Sequence, residues 1–316
     1  MMSKSLTEIL HIRYPLIMAP MFLVSNMKMS LAASQAGIAA CIPALNYRNH
    51  ADFIQALAEI SESKANIGIN LIANKSNYKL NKQLEACLQY KIPFIISSLG
   101  NPKEIIEKCR PLGIKVFCDV STMEYAEKTA KLNPDALIAV TSKAGGHLGP
   151  HDPEDFIPQL LAAFPQIPII TAGGVGDAPS YLNTLKMGVS GISAGTVFIA
   201  SNESPVCEAY KQACVDYTEN DVITTTKLSG IPCTIINTPY VQKTGNSQNA
   251  LQRFLNRNKT FKKWFKLFVY KNGMHTLQKA AFDQNYQNVW CAGKSIRFIK
   301  QIRPVEEIVR SIVEVN

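Results

Sequence analysis

Short apolar runs bounded by Gly, Pro or Asn alternate along this chain with longer amphipathic stretches, and the alternation repeats eight times. Continuous apolar runs of strand length fit strands buried on both faces, as in a parallel sheet covered by helices. The spacing predicts strands over Leu16 to Ala19, Ile38 to Pro43, Ile67 to Leu71, Phe94 to Ser98, Val116 to Val120, Leu137 to Thr141, Ile169 to Ala172 and Gly191 to Ala194. Between them, Ala51 to Ser63 carries Phe53, Ile54, Leu57 and Ile60 at helical spacing, and Tyr78 to Tyr90 carries Leu80, Leu84 and Leu88. Asn101-Pro102-Lys103-Glu104 and Asp152-Pro153-Glu154-Asp155 each read as a capping residue followed by a proline that opens a helix, while Gly113 and Gly188 stop two others. Eight such units predict an α/β fold, a (β/α)8 TIM barrel with a mainly helical C-terminal subdomain. An open doubly wound sheet is the alternative, but the Gly-x-Gly-x-x-Gly turn expected after its first strand is absent, the position reading Ala19-Pro20-Met21.

The 316 residues suffice for one large domain with an appendage, and 47% hydrophobic with 18% charged residues excludes a disordered chain. We expect the barrel over residues 1–222, a basic, mainly helical subdomain or insertion over 223–290, and a C-terminal helical segment, 291–316, packing back on the barrel. The eight cysteines show no Cys-x-x-Cys pair, and His151 has no acidic or cysteine partner at ligand spacing, so no metal site is expected. No apolar run is long enough to span a bilayer and no signal sequence opens the chain, which reads as cytoplasmic. Homo-oligomerisation is left open.

In a barrel of this type, chemistry gathers at the C-terminal ends of the strands. The loop after the sixth strand, Ala144-Gly145-Gly146-His147-Leu148-Gly149, puts a titratable ring between glycines, where backbone can approach a flat ligand and His147 can project over it. Gly173-Gly174 and Gly195-Thr196 follow the seventh and eighth strands, the usual place for a phosphate held by backbone amides. Asn70 at the end of the third strand offers a donor and an acceptor to a heterocycle, though an asparagine also simply closes a strand.

Pro15 to Met21, Gly68-Ile69-Asn70-Leu71, Ala144 to His147, Ala172 to Val175 and Gly195 to Phe198 occur in the order found in the nitronate monooxygenases, formerly 2-nitropropane dioxygenases, which this chain resembles across the barrel. Ser201 to Ser204 and Gly293-Lys294-Ser295 extend the resemblance towards the C-terminus. The resemblance implies an FMN enzyme that oxidises alkyl nitronates with O2 to nitrite and a carbonyl compound. Carried over by position, Ala19, Pro20 and Met21 would lie along the flavin through backbone contacts, Asn70, Lys115 and Ala144 would be further cofactor contacts, and Gly173, Gly174, Gly195 and Thr196 would hold the phosphate. His147 would be the catalytic residue, removing the α-proton of a nitroalkane or holding a nitronate by a hydrogen bond. The family often has a Gln-Gly pair and an acidic residue before Ala-Gly-Gly-His; here Thr141-Ser142-Lys143 stands there, and a cation beside His147 would depress its pKa unless it points to solvent.

The alternative activity is that of the flavin-dependent enoyl-ACP reductases, which share barrel, FMN and Ala-Gly-Gly-His but use NAD(P)H. Net charge is +9, and the excess is regional: Val222 to Phe282 holds ten Lys or Arg and no Asp or Glu. Within it, Ala250 to Gly273 interleaves aromatic and aliphatic residues with basic ones in an amphipathic pattern. We expect a helical subdomain packed beside the barrel mouth with its lysines solvated and no nucleic-acid partner. A face for a membrane surface or nucleic acid is the other reading of that pattern.

Overall fold

All eight apolar runs form strands: β1 (Leu16–Met18), β2 (Ala39–Pro43), β3 (Ile67–Ile72), β4 (Phe94–Ser98), β5 (Lys115–Val120), β6 (Ala136–Val140), β7 (Ile169–Ala172) and β8 (Gly191–Ala194). The structure, a computed structural model, describes residues 3–74, 77–226, 228, 232–245 and 289–314. Parallel pairing runs in chain order and closes β8 on β1, with Leu16 opposite Ile192 and Ile17 opposite Ala39. The chain is thus a (β/α)8 barrel. The amphipathic reading of Ala250 to Gly273 lies outside the described residues.

Among the described residues the α-helices are α1 (Leu6–Leu10), α2 (Met27–Gln35), α3 (His50–Ser63), α4 (Leu80–Gln89), α5 (Lys103–Cys109), α6 (Met123–Ala130), α7 (Pro153–Ala163), α8 (Ala178–Lys186), α9 (Glu208–Asp216), α10 (Pro239–Thr244) and α11 (Val305–Val313). β9 (Val222–Thr225) and β10 (Cys233–Ile236) make a separate antiparallel ribbon. Helix α11 buries Val305, Ile308, Val309 and Ile312, one helical stripe, and packs on α2 and α8.

Strand alternation sorts each strand into an outer row under the helices and an inner row filling the barrel. The inner row holds Ile17, Cys41, Phe94, Ile96, Phe117 and Ile138, and α1 brings Leu6 and Leu10 against the same cluster, Leu6 N donating to Ser190 O at 2.8 Å. Gly68 makes room for it: a Cβ there would stand 2.4 Å from the Phe94 ring. Two residues further along three neighbouring strands the row turns polar, with Asn70 after Gly68, Ser98 after Ile96 and Asp119 after Phe117. An apolar interior therefore opens into a polar mouth at the C-terminal strand ends.

Candidate functional site at the barrel mouth

On one side of the mouth the loops after β6, β7 and β8 meet backbone to backbone. A Cβ at Gly173, whose φ is +109°, would stand 2.3 Å from Ala144 N. One at Gly145 would stand 2.6 Å from Thr196 Oγ1 and 2.9 Å from Gly293 N. Gly293 N donates to Thr196 Oγ1 at 2.9 Å, so the chain returning from the C-terminal side closes this knot. Trp290, three residues earlier, stacks on Tyr210 of α9, with ring centroids 5.5 Å apart. These glycines answer to chain crossing as much as to any ligand. Gly146 differs: its φ is +72°, but a Cβ would meet nothing within 4 Å.

Strand β10 fixes the histidine loop from outside the barrel. Gly146 N donates to Thr234 Oγ1 at 3.0 Å, Thr234 N donates to Gly146 O at 2.9 Å, and His147 pairs antiparallel with Cys233. His147 is exposed at the mouth, and desolvation by the protein packed around it lowers its pKa below the ordinary histidine value. Lys143 is not the cause. Its ammonium pairs with Glu154 at the surface, and Ser142 donates to Asp152, which explains why Asp152 makes no side-chain cap on α7. Cys233 shares a thiol–thiol hydrogen bond with Cys291, which holds Cys233 below the usual thiol range and pushes Cys291 up. His151 lies against Phe156, with ring centroids 5.4 Å apart. Among the described residues no three His, Cys, Asp or Glu side chains gather as a metal site would require.

The loop after β1 is tied internally. Ser25 Oγ accepts from Met21 N at 2.9 Å and donates to Ala19 O at 3.1 Å, while Ala19 N donates to Ala194 O. Most polar backbone groups of Ala19 and Met21 are thus engaged, and these residues present surface more than hydrogen bonds. They adjoin Gly195, where a Cβ would lie 3.4 Å from Ala19 Cβ and 3.3 Å from Met21 Sδ.

The opposite side of the mouth is made by side chains. Asn70 Nδ2 donates to Ile96 O at 3.0 Å and to Ser98 Oγ at 2.7 Å, and Ser98 Oγ donates to Asp119 Oδ2 at 2.5 Å. Burial pushes the Asp119 carboxyl up to about 6 against the pull of the Ser98 hydrogen bond.

Ala19, Pro20, Met21, Asn70, Ala144, His147, Gly173, Gly174, Gly195 and Thr196 therefore all stand at the mouth. Lys115 does not. It opens β5 at the other end of the barrel, with Nζ 3.3 Å from Asp135 Oδ1, about 16 Å of strand from the mouth. A residue at the start of a barrel strand faces the stability end of the fold, which corrects its expected place beside a cofactor. Ser98 and Asp119 also stand at the mouth; their polarity at the ends of two buried strands marks them in the sequence, but nothing in the sequence alone gives them a role.

Residues 43–315 match the family described as nitronate monooxygenase. A (3aS,4S,5R,7aS)-5-hydroxy-7a-methyl-1-oxo-octahydro-1H-indene-4-carboxyl-CoA dehydrogenase of Rhodococcus jostii (strain RHA1) is 24% identical over 305 residues, spanning 94% of this chain and 84% of its own. A probable nitronate monooxygenase of Staphylococcus aureus (strain JH9) is 28% identical over 170 residues, 51% of this chain and 48% of its own. FabK from Thermotoga maritima has the same fold, with a TM-score of 0.83 at 24% identity over 97% of this chain and 94% of its own. So does a nitroalkane oxidase from Streptomyces ansochromogenes, at 0.76 and 20% identity over 97% and 96%. Among the described residues no helix is long and apolar enough to cross a membrane.

Proposed function

Since the chain belongs to the nitronate monooxygenase family, we propose that it is a flavin-dependent oxidoreductase that holds FMN in the barrel mouth and oxidises alkyl nitronates with O2 to a carbonyl compound and nitrite. The mouth fits the cofactor on three counts. Ala19 and Gly195 bring little bulk to the side they share with the Met21 side chain, an apolar surface that suits a planar ring. Thr196 Oγ1 accepts from Gly293 N and keeps its own proton to donate, and the first N–H groups of the helical turn Thr196–Phe198 have no acceptor within that turn, a fit for a phosphate with Gly173 and Gly174 beside it. Asn70 and Asp119 face the interior of the mouth with polar atoms to spare.

His147 carries the reading. An imidazole whose pKa is lowered by desolvation is uncharged near neutral pH, with one nitrogen able to take a proton and the other able to donate a hydrogen bond. It can accept the α-proton of a nitroalkane or donate to a nitronate oxygen. The β10 clamp holds its loop in place for either role. The flavin, when bound, accepts the substrate's electrons.

An anaerobic absorption spectrum of the purified holoprotein tests this, titrated separately with propionate 3-nitronate, NADH and NADPH, in wild type and His147→Ala. Bleaching by nitronate alone, nitrite release on admitting air, and loss of both in the variant are expected. Rapid bleaching by a pyridine nucleotide would transfer the assignment to an enoyl reductase, and a protein that binds no flavin would sink both.

A further inference from the structure

Asn70, Ser98 and Asp119 lie on adjacent strands, and their side chains form one directed series of hydrogen bonds. Ser98 has a single hydroxyl proton, donates it to Asp119 at 2.5 Å, and so can only accept from Asn70. Nδ2 of Asn70 meets that demand at 2.7 Å and gives its second hydrogen to the Ile96 carbonyl at 3.0 Å. Both amide hydrogens are committed inside the barrel, which leaves Oδ1 for a ligand. Turning the amide over would set Oδ1 against the Ile96 carbonyl and the Ser98 lone pairs, acceptor against acceptor, at a buried position where such a mismatch is costly. Asn70 therefore meets a ligand as an acceptor only.

We infer that Ser98 and Asp119 are positioning residues that hold the Asn70 carboxamide with its oxygen towards the mouth, so that the site takes a flavin by its one ring N–H, at N3. The oxidised ring system carries acceptors at N1, O2, O4 and N5 but only that donor, so an acceptor-only asparagine selects one edge. The inference rests on the flavin reading above. Ser98→Ala removes the acceptor that orients the amide. Asp119→Leu frees the Ser98 proton to turn towards Asn70, whereas Asp119→Asn keeps an acceptor oxygen for Ser98 and should preserve the arrangement.

The test titrates full-length apoprotein with FMN and with N3-methyl-FMN, followed by flavin fluorescence, and records the N3–H proton resonance of bound 15N-labelled FMN. Wild type is expected to prefer FMN by about tenfold, the worth of one buried hydrogen bond. Ser98→Ala and Asp119→Leu should bring that preference within about twofold and move the N3–H resonance upfield, while Asp119→Asn keeps both. If Asp119→Leu does not fold, Ser98→Ala carries the test alone. FMN bound without preference in wild type, or a Ser98→Ala protein with undiminished preference and an unmoved resonance, would overturn the inference and leave the flavin reading standing. A wild-type protein that binds neither flavin would overturn both.

Discussion

The two sides of the barrel mouth are held by different physics. Around β6 to β8, backbone meets backbone at glycines, and the geometry is fixed by the absence of Cβ atoms at Gly145 and Gly173. Around β3 to β5, the same depth is filled by an amide, a hydroxyl and a carboxyl whose arrangement is fixed by the direction in which protons are donated. The glycine side is set by sterics, which do not depend on pH. The side-chain relay contains a titrating group, so its order can be altered by one proton.

The sharpest way to break this comparison is to add a methyl group to the glycine side. Gly173→Ala combines a φ of +109° with a Cβ 2.3 Å from a backbone nitrogen, and should cost about 3 kcal/mol or more. Gly146→Ala meets open space and bears only the left-handed backbone of φ +72°, so about 1 kcal/mol is expected. Urea denaturation midpoints measure both. Equal losses would mean that backbone conformation, not chain crossing, explains the glycines.

On the relay side, a smaller effect with a pH signature is expected from Asp119→Asn. Burial raises the folded-state pKa of Asp119 from 3.8 to about 6, and neither the Ser98 hydroxyl it accepts from nor the nearby Cys41 thiol brings a positive charge. The folded state therefore binds more protons between those values. This contribution to stability is fully present below about pH 4 and is lost as pH rises through about 6. The asparagine variant escapes the loss and should be more stable than wild type by about 2 to 3 kcal/mol at pH 8, with no advantage at pH 4. A pH-independent difference in thermal or urea unfolding would contradict the assignment.

A third effect tests the clamp between the glycine side and the ribbon. Thr234→Val deletes the acceptor for Gly146 N while keeping a β-branched strand residue. A loss of about 1 kcal/mol and faster hydrogen exchange at the amides of residues 145–147 are expected; unchanged exchange would show that the remaining backbone bond suffices.

How legible each part was in the sequence follows from contact range. The strands were read to within a residue or two, as at Ala136–Val140 against a predicted Leu137 to Thr141, because burial on both faces writes a continuous apolar run. The glycine loops were visible as motifs, but the reason for them was not: Gly146 meets Thr234 across 88 residues and Gly293 meets Thr196 across 97. The relay joins residues 28 and 21 apart on neighbouring strands, and registers between strands leave no local pattern. The cap signals placed both helix starts: Asn101 Oδ1 accepts from Lys103 N where α5 begins, and α7 opens at Pro153 after its cap residue Asp152, whose carboxylate takes the Ser142 hydroxyl in place of a backbone N–H, a partner that the cap pattern does not show.

The smallest expected effect concerns Lys143, which the sequence places four residues before His147. Were its charge responsible for the lowered pKa of His147, Lys143→Met would raise that pKa. In the structure desolvation alone lowers it, and the lysine is 43% exposed and paired with a Glu154 that is 63% exposed. A surface pair of this kind contributes about 0.5 kcal/mol or less. The variant should therefore leave both stability and the His147 titration nearly unchanged, as followed by NMR of the imidazole Cε1–H. A clear rise of the His147 pKa in Lys143→Met would show that the glycine side of the mouth is governed by charge as well as by sterics, and the contrast with the relay side would lose its force.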